Sequence, residues 1–491
     1  HMENLTGGTP PVRYLPCVVP CKLYFNAIKT IFSIIFPLIT FPYISRVLGV
    51  ENIGIYNFST SVVSYFTLLA GLGINTYAIR EGARYRNNKE DISEFCSEVF
   101  SINLISTLIS YGILAVSLFF LPSLHDDALI IMILSVSICF TTLGCEWVFN
   151  IYEEFGYITI RTILFQILSV ILMFVFVKNK HSLIQYALIT VLATSGANII
   201  NIFARKKFCD IRFCFRVKLK KHLLPILILF ANSIAMTIYI NSDVTILGLI
   251  SGNYYVGLYS VATKVYTMLK SLLGALIVVS IPRLSSYLGT ENKKQYVETS
   301  SIILNALITI AVPAMVGTFA LSDEIVLILS GREYIAASMS LKILSVALVF
   351  SIFSWFYTSC VLVVNKQDRS VLKATTLAAV VNIVLNVILI PYFNQNAAAL
   401  TTALAEFVSA FVCYLYGRKY FHTNLQKNDT ISVLMGSLLI LLICYLVRLC
   451  ISSLCVSIAV SVVISMLGYG VVLVLFRNNS LKYILDFVKR K

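Results

Sequence analysis

Charged side chains interrupt the long apolar stretches of this sequence at only a few positions. A charged group at the centre of a bilayer costs at least ~2.5–3.5 kcal/mol, so each such residue is expected to have a function or a partner. Cations there could bind an anionic ligand, and a desolvated carboxylate could carry a proton or a sodium ion. The cations are Lys29, Arg46, Arg161, Lys264, Lys270 and Lys342, and the carboxylates are Glu146, Asp243 and Glu406.

Lys264 is harder to explain by extension to the membrane interface. It lies about ten residues into its apolar run, or about 15 Å down a helix at 1.5 Å per residue. Asp243, on the preceding run, lies at a similar depth, and two interpretations stay open. Either the two form a structural ion pair, or Lys264 binds an anionic substrate while Asp243 tunes it or takes a coupling cation. Lys270 lies about 120° further round the same helix, so both lysines cannot point squarely at one ligand.

Alternative roles remain open for the other members. Lys29, Lys342 and Arg161 lie within about two turns of a predicted helix end, where a long side chain can extend to the membrane interface. Arg46 either contacts the substrate or caps a helix C-terminus. The carboxylates of Glu146, Asp243 and Glu406 are either coupling sites or partners of inward-facing cations.

The elements that position these residues are membrane-spanning helices. Of the 491 residues, 58% are hydrophobic and only 12% are charged, whereas a soluble chain carries roughly a quarter charged residues. The apolar runs are continuous and long enough to cross roughly 30 Å of hydrocarbon, which favours helices over a β-barrel. We therefore predict an all-α polytopic membrane protein. About fourteen spans are expected near 23–45, 53–79, 95–121, 127–150, 157–177, 182–204, 222–249, 254–281, 297–321, 337–364, 371–391, 396–417, 430–450 and 454–476.

The net charge of +15 is explained by topology. Alternate loops are rich in Lys and Arg, and the positive-inside rule places those loops and both termini in the cytoplasm. A nucleic-acid partner is therefore not expected. The basic linker 205–221 and the tail LKYILDFVKRK are predicted to lie on the membrane surface and to contact anionic lipids. The twelve Cys are scattered among apolar residues, so neither a disulfide framework nor a metal site is predicted.

A sequence repeat indicates two similar halves. The corner PYISRVLGVENIGIY, Pro42 to Tyr56, lies between two apolar runs. Leu247-Gly248 followed by Val256-Gly257-Leu258-Tyr259 echoes Leu48-Gly49 followed by Ile53-Gly54-Ile55-Tyr56, with a slightly longer corner. Repeats of this kind are typical of secondary transporters.

With this corner, the chain resembles the bacterial polysaccharide flippases of the Wzx type. Their superfamily also holds the multidrug and toxic-compound extruders and the lipid II flippase. The resemblance covers about residues 24–420. It rests also on EEFGYITIR (Glu153–Arg161), NSDVTILG (Asn241–Gly248), VGLYSVATK (Val256–Lys264) and LSDEIVLILSGREY (Leu321–Tyr334).

The resemblance implies two pseudo-symmetric six-helix lobes around a cavity, plus two extra C-terminal helices. It implies alternating-access movement of an oligosaccharide repeat unit on undecaprenyl pyrophosphate across the bacterial inner membrane, for surface polysaccharides such as O-antigen. No cofactor is expected, and coupling would use a proton gradient, a sodium gradient or the membrane potential. The partners would be membrane lipids and possible polymerase and chain-length machinery. The expected divisions are an N-terminal tail 1–21, a first lobe 22–204, the linker 205–221, a second lobe 222–421, helices thirteen and fourteen in 422–476, and a basic tail 477–491.

Two other classes remain as alternatives. A multidrug or cation antiporter of the same architecture would need acidic residues in its cavity, whereas this chain offers mainly basic ones. A multi-spanning glycosyltransferase or polymerase would need a sizeable external loop and an acidic motif. The sequence shows no P-loop, HExxH motif or nucleophile elbow, and we predict no catalytic residue.

Overall fold

The computed structural model describes residues 18–215, 217–422, 427–451 and 453–479, and this part of the chain is built of helices. Short 3₁₀ turns lie at Pro122–Leu124, Arg205–Lys207 and Arg332–Tyr334, and a π-helical turn at Tyr357–Val363. The α-helices are α1 Val18–Gly71, α2 Ile74–Gly82, α3 Lys89–Phe120, α4 Ala128–Gly144, α5 Glu146–Ile151, α6 Phe155–Phe176, α7 Leu183–Ala204, α8 Leu219–Ser251, α9 Asn253–Gly289, α10 Lys293–Ala320, α11 Ser322–Ser330, α12 Ala337–Phe356, α13 Asp368–Gly417, α14 Lys427–Cys450 and α15 Leu454–Leu475.

Fourteen membrane passes can be counted in the described ranges. Eleven helical segments are long and apolar enough to span a membrane. Two of them, α1 and α13, are each broken in the middle by a non-helical residue, Gly49 and Asn394, and each forms two passes. The apolar helix α4, 17 residues long, supplies the remaining pass. The prediction of an all-α polytopic protein is confirmed.

Some predicted spans are interrupted where left-handed residues stop a helix. The span predicted at 53–79 stops at Gly71, because Leu72 and Gly73 have φ values of 45° and 74°, and it resumes as α2. The span predicted at 127–150 is broken at Cys145, with φ 45°, between α4 and α5. The short helix α11 was not predicted.

The two lobes approach each other most closely at their corner glycines. Gly49 and Gly252 share one conformation, with φ and ψ of 80° and 174° in the first and 92° and 173° in the second. Five residues beyond each lies a second glycine, Gly54 or Gly257. A Cβ atom on Gly54 would lie 1.7 Å from the Asn253 carbonyl oxygen. Alanine cannot replace glycine there without moving the lobes apart.

This geometry corrects the register of the predicted repeat. Gly252, not Gly248, is the counterpart of Gly49, so the two corners have equal length. Gly248 lies inside α8, where it gives room to the Phe58 ring. The predicted pairing was wrong because it matched a Leu-Gly dipeptide, whereas the corner depends on the left-handed glycine.

The helices form two lobes and a C-terminal pair. In the first lobe α4 and α6 pack on α7, and α3 and α4 pack on α1. In the second, α13 packs on α8 and α12, and α12 also contacts α9 and α10. The helices α14 and α15 pack on each other, and α14 packs on α10. The lobes meet mainly through α1 with α8 and α9.

The linker between the lobes is bound to the first lobe rather than hanging free. Residues 209–215 have no regular secondary structure and follow α3 through three hydrogen bonds. The hydroxyl oxygens of Ser93, Ser97 and Ser101 accept the backbone N–H groups of Asp210, Arg212 and Cys214 at 3.0, 3.1 and 2.8 Å. The helix α8 begins at Leu219, inside the predicted linker. The predicted tails 1–21 and 477–491 lie largely outside the described residues.

Candidate functional site

A cavity lies between the two lobes. It consists of two adjoining chambers with volumes of about 640 Å³ and 650 Å³. The first is walled by α1, α4, α7 and α8, and the second by α1, α6, α7, α8 and α9. Both chambers share the residues Tyr56, Thr60, Thr190, Thr194 and Asn241.

The cavity wall combines apolar side chains with uncharged polar ones and carries almost no charge. Most of its polar side chains are hydroxyls and amides, and no acidic residue occurs among the described lining residues. Lys264 is the cation among them, and it lies in the second chamber. Its ammonium nitrogen lies 5.8 Å from the centroid of the Phe41 ring, within cation–π distance. The wall therefore offers one localised positive charge.

Lys264 and Asp243 do not form an ion pair. In the described part of the chain no carboxylate lies within 4.0 Å of the Lys264 ammonium. Asp243 is instead enclosed by uncharged donors. Its Oδ1 accepts from Asn386 at 2.6 Å, and its Oδ2 accepts from Thr402 at 2.6 Å and from Tyr259 at 3.0 Å. The ion-pair interpretation is therefore wrong, and the roles in substrate binding and coupling stay predictions.

Two of the other predicted cations are paired with predicted carboxylates. Lys270 contacts Glu406 at 2.6 Å, and Arg161 contacts Glu146 at 2.6 Å. The Arg161 side chain is only 4% exposed, so it does not extend to the interface. A buried cation with a partner of opposite charge needs no further ligand, so these pairs have a structural explanation.

The remaining predicted cations lie elsewhere. Lys342 contacts Asp323 at 3.3 Å, where α12 meets α11. Arg46 donates to the carbonyl oxygen of Ile328 in the last turns of α11, as a C-terminal cap does. Lys29 belongs to α1, but its side chain lies outside the described part of the structure.

The corner face of the lobes is closed by a network that the sequence did not predict. Ser45 donates to the Leu329 carbonyl at 3.2 Å, and Tyr334 donates to the Ser45 carbonyl at 3.0 Å. Burial raises the pKa of Tyr334, which keeps its phenol a donor. Lys180 contacts Glu333 at 3.0 Å. These contacts join both lobes around the cap formed by Arg46.

A buried polar cluster at the opposite face also escaped prediction. His222 Nε2 lies 2.7 Å from Glu98, and its Nδ1 lies 2.7 Å from the Tyr77 hydroxyl. All three are almost fully buried. Lys218 contacts Glu94 at 2.7 Å beside them, and this bond raises the pKa of Lys218. Glu98 lies inside a predicted span, so the rule that identified the other carboxylates would also have found it.

Comparisons with known proteins identify the family. The family described as "Polysaccharide biosynthesis protein" matches residues 22–288, more than half of the chain. The chain belongs to this family. A relative named "Putative O-antigen transporter" from Escherichia coli K12 is 25% identical over 381 residues, covering 75% of this chain and 89% of the relative. "Capsular polysaccharide biosynthesis protein CapF" from Staphylococcus aureus is 22% identical, covering 76% and 92%.

The fold comparison agrees with the family assignment. "Lipid II flippase MurJ, inward closed conformation" superposes with a TM-score of 0.74 at 19% identity, covering 93% of this chain and 99% of that one. An inward-facing multidrug resistance MATE family transporter has a TM-score of 0.57 at 15% identity, covering 81% and 94%. Both likenesses concern the fold. For this polysaccharide biosynthesis family member, the predicted two-lobe architecture and the resemblance to polysaccharide transporters are confirmed.

Proposed function

We propose that this protein is a flippase that moves undecaprenyl-pyrophosphate-linked oligosaccharide repeat units to the outer leaflet for surface polysaccharide assembly. The observation that carries the proposal is a cavity between two lobes, lined in part by hydroxyls and amides, with one cation, Lys264, that has no carboxylate partner among the described residues. Such a cavity solvates a glycan, and Lys264 meets the diphosphate. The prenyl tail stays in the lipid. The names of the O-antigen and capsular relatives support a glycan cargo.

The closed corner and the cavity suit alternating access. Opening the corner face requires the lobes to separate at Gly54 and Gly257 and to release Arg46 from α11. We place the protein in the bacterial inner membrane with its basic loops and both termini in the cytoplasm. The corner is then the external gate. The protein acts as a transporter without a catalytic residue. Polymerase and chain-length partners belong to the same proposal.

The Asp243 cluster is the proposed coupling site. A buried carboxylate is stable when it is protonated, bound to a cation or fully hydrogen-bonded. Asp243 accepts from the hydroxyls of Thr402 and Tyr259 and from the Asn386 amide nitrogen, which also donates to the Asn382 oxygen. Hydroxyl and amide oxygens are ligands of hard cations, so a sodium ion could replace the Asn386 N–H groups between Asp243 and Asn382. The cluster joins α8, α9 and α13, so a proton or sodium ion there would act on the second lobe.

The antiporter alternative is supported by the MATE fold likeness and opposed by the cavity wall. A cavity that binds drug cations needs carboxylates, and the described lining residues include none. Lys264 would repel a cation at the centre of the site. The wall therefore favours an anionic cargo.

The experiment expresses this chain in a strain that lacks its own polysaccharide flippase and carries a matching repeat unit. Restored surface polymer, with no cytoplasmic build-up of complete lipid-linked units, is the expected result. Truncated lipid-linked units in the absence of the protein would indicate an enzyme instead. A change only in sensitivity to toxic cations would indicate the antiporter.

Substituting Lys264 tests the residue that carries the proposal. A hydrogen bond to a charged group contributes about 1.5–3 kcal/mol, so Lys264→Ala should lower export roughly tenfold to a hundredfold or more. Lys264→Arg keeps the charge and should retain most of the activity. Normal export by a Lys264→Ala variant that inserts normally would refute the role of this cation.

A further inference from the structure

The hydroxyl groups of the cavity wall share one arrangement. Except for Ser195 and Thr237, every serine and threonine lining the two chambers donates its proton to a carbonyl oxygen of its own helix. Thr60, Thr190 and Thr194 do so at 2.7, 2.8 and 2.9 Å. The direction is certain because a carbonyl oxygen can only accept.

This arrangement determines what the wall can offer a ligand. A hydroxyl that has given its proton to the backbone still has oxygen lone pairs, so it faces the cavity as an acceptor. Asn57 and Asn241 each give one amide N–H to a backbone carbonyl, that of Ile53 or Thr237, at 2.8 and 3.0 Å. The carbonyl oxygen and the second N–H group of each amide remain for a ligand. Hydroxyl acceptors therefore outnumber the uncharged donors of the described wall, which include the Tyr56 and Tyr186 phenols and the amides of Asn57, Asn241 and Gln166.

An acceptor-rich wall distinguishes between classes of sugar. Sugar hydroxyls and acetamido N–H groups are donors and match it. A carboxylate is only an acceptor, so a uronic acid would face lone pairs and would lose its hydration without compensation. The charged donor among the described lining residues is Lys264, which lies in the second chamber, whereas the residues described around the first chamber include no charged one.

We propose that the cavity selects neutral glycans rich in hydroxyl and acetamido groups, with a single anionic group, the diphosphate, held at Lys264. This inference rests on the proposed flippase function and names its substrate class. The glycan extends from Lys264 towards the first chamber, where its hydroxyls donate to the Thr60, Thr190 and Thr194 oxygens. Recognition of this kind tolerates different neutral sugars, because the acceptors are spread over the whole wall.

The test compares two lipid-linked repeat units in strains that lack their own flippase. One unit contains only hexoses and N-acetylhexosamines, and the other has one hexose replaced by a hexuronic acid away from the diphosphate. Surface polymer and the cytoplasmic pool of complete lipid-linked units are measured in both strains. We expect export of the neutral unit at a rate at least about tenfold above that of the acidic unit, a difference of about 1.4 kcal/mol.

The outcomes separate the inference from the function it rests on. Equal export of both units would overturn the selectivity and leave the flippase function intact. Export of neither unit, with the protein present in the membrane, would overturn both.

A variant with an added positive charge in the wall provides a second test of the selectivity. Thr194 faces both chambers, and Thr194→Arg would place a donor in the acceptor wall. The ratio of acidic to neutral export should rise at least about tenfold. The matched variant Thr194→Val removes the acceptor without adding a charge and should lower neutral export without raising acidic export. An unchanged ratio in Thr194→Arg, with normal membrane insertion, would contradict the proposal.

Discussion

The contact between the two corners can be broken by a single methyl group. In Gly54→Ala the added Cβ would lie 1.7 Å from the Asn253 carbonyl oxygen, and real Cβ atoms essentially never approach within 3.0 Å. The obstacle is backbone, so the helices α1 and α9 must separate by more than about 1 Å. Forcing a methyl into a packed interface costs about 1–3 kcal/mol. The cost applies only while the corner is closed.

A cost of this size shifts the conformational equilibrium strongly. Since about 1.4 kcal/mol is a factor of ten, the ratio of open to closed corners should rise about fivefold to 150-fold. Gly257→Ala should act in the same direction, because its Cβ would lie 2.1 Å from the Val50 carbonyl oxygen. One separation relieves both clashes, so the double variant should fall well short of the sum.

The assay measures how fast a buried corner position becomes reactive. Ser45 is fully buried, and Ser45→Cys places a thiol there. The exposed native residues Cys450 and Cys455 are replaced by serine, and maleimide labelling of the purified protein is followed by mass spectrometry at the peptide level. When opening is fast, the labelling rate follows the open population. It should therefore rise by the same factor in Gly54→Ala.

Gly112→Ala is the matched control. It also adds a methyl to a glycine in a membrane helix, but no atom lies within 4 Å of the added Cβ. Equal labelling rates in Gly54→Ala and Gly112→Ala, with both proteins inserted and monodisperse, would show that the corner does not close as described.

Three other predictions concern single interactions. Glu406→Gln leaves Lys270 unpaired inside the membrane and should cost about 3 kcal/mol of stability in a detergent melt, whereas a double change of both residues to apolar ones should recover most of it. Equal melts of the single and double variants would contradict this. Asp243→Asn should keep the fold and remove the dependence of transport on a proton or sodium gradient, and an unchanged dependence would exclude this residue as the coupling site. Ser97→Ala removes the acceptor of the Arg212 N–H and should loosen the linker by about 1 kcal/mol, seen as faster tryptic cleavage at Arg212. Unchanged cleavage would mean that the linker is held elsewhere.

The membrane spans could be predicted because each is encoded locally. A run of some twenty apolar residues is sufficient reason for a helix in lipid, whatever its neighbours. The breaks are less local. Leu72, Cys145 and Asn394 adopt positive φ although none of them is a glycine. Glycines adjoin the first two, but glycine is frequent in membrane helices and did not locate the breaks. Gly252 did carry a signal, but a stronger dipeptide match at Gly248 obscured it.

The candidate site was only partly accessible from sequence. Depth along a helix identified Lys264, Lys270, Asp243 and Glu406 as intramembrane charges. Which of them pair depends on helix packing between distant segments, because the partners Lys270 and Glu406 are 136 residues apart. The enclosure of Asp243 by amides and hydroxyls has no charge pattern to reveal it. The direction of the wall hydroxyls likewise depends on rotamers that a sequence does not specify.

The three serines of α3 that bind the linker, Ser93, Ser97 and Ser101, constrain how the two lobes can move relative to each other. The bonded serines are four residues apart on α3, a rise of about 6.0 Å, and the bonded linker amides are two residues apart, or about 6.6 Å in an extended chain. Because the two spacings nearly match, successive amides reach successive hydroxyls over a short length of helix. The linker is therefore held against α3 along this length. Beyond it, His222 holds the start of α8 to Glu98 in the first lobe, and Asp243 holds the far half of α8 to the second. Helix α8 is therefore attached to the first lobe near its start and to the second lobe in its far half. To widen the cavity on the side of the basic loops, this helix must bend or His222 must separate from Glu98.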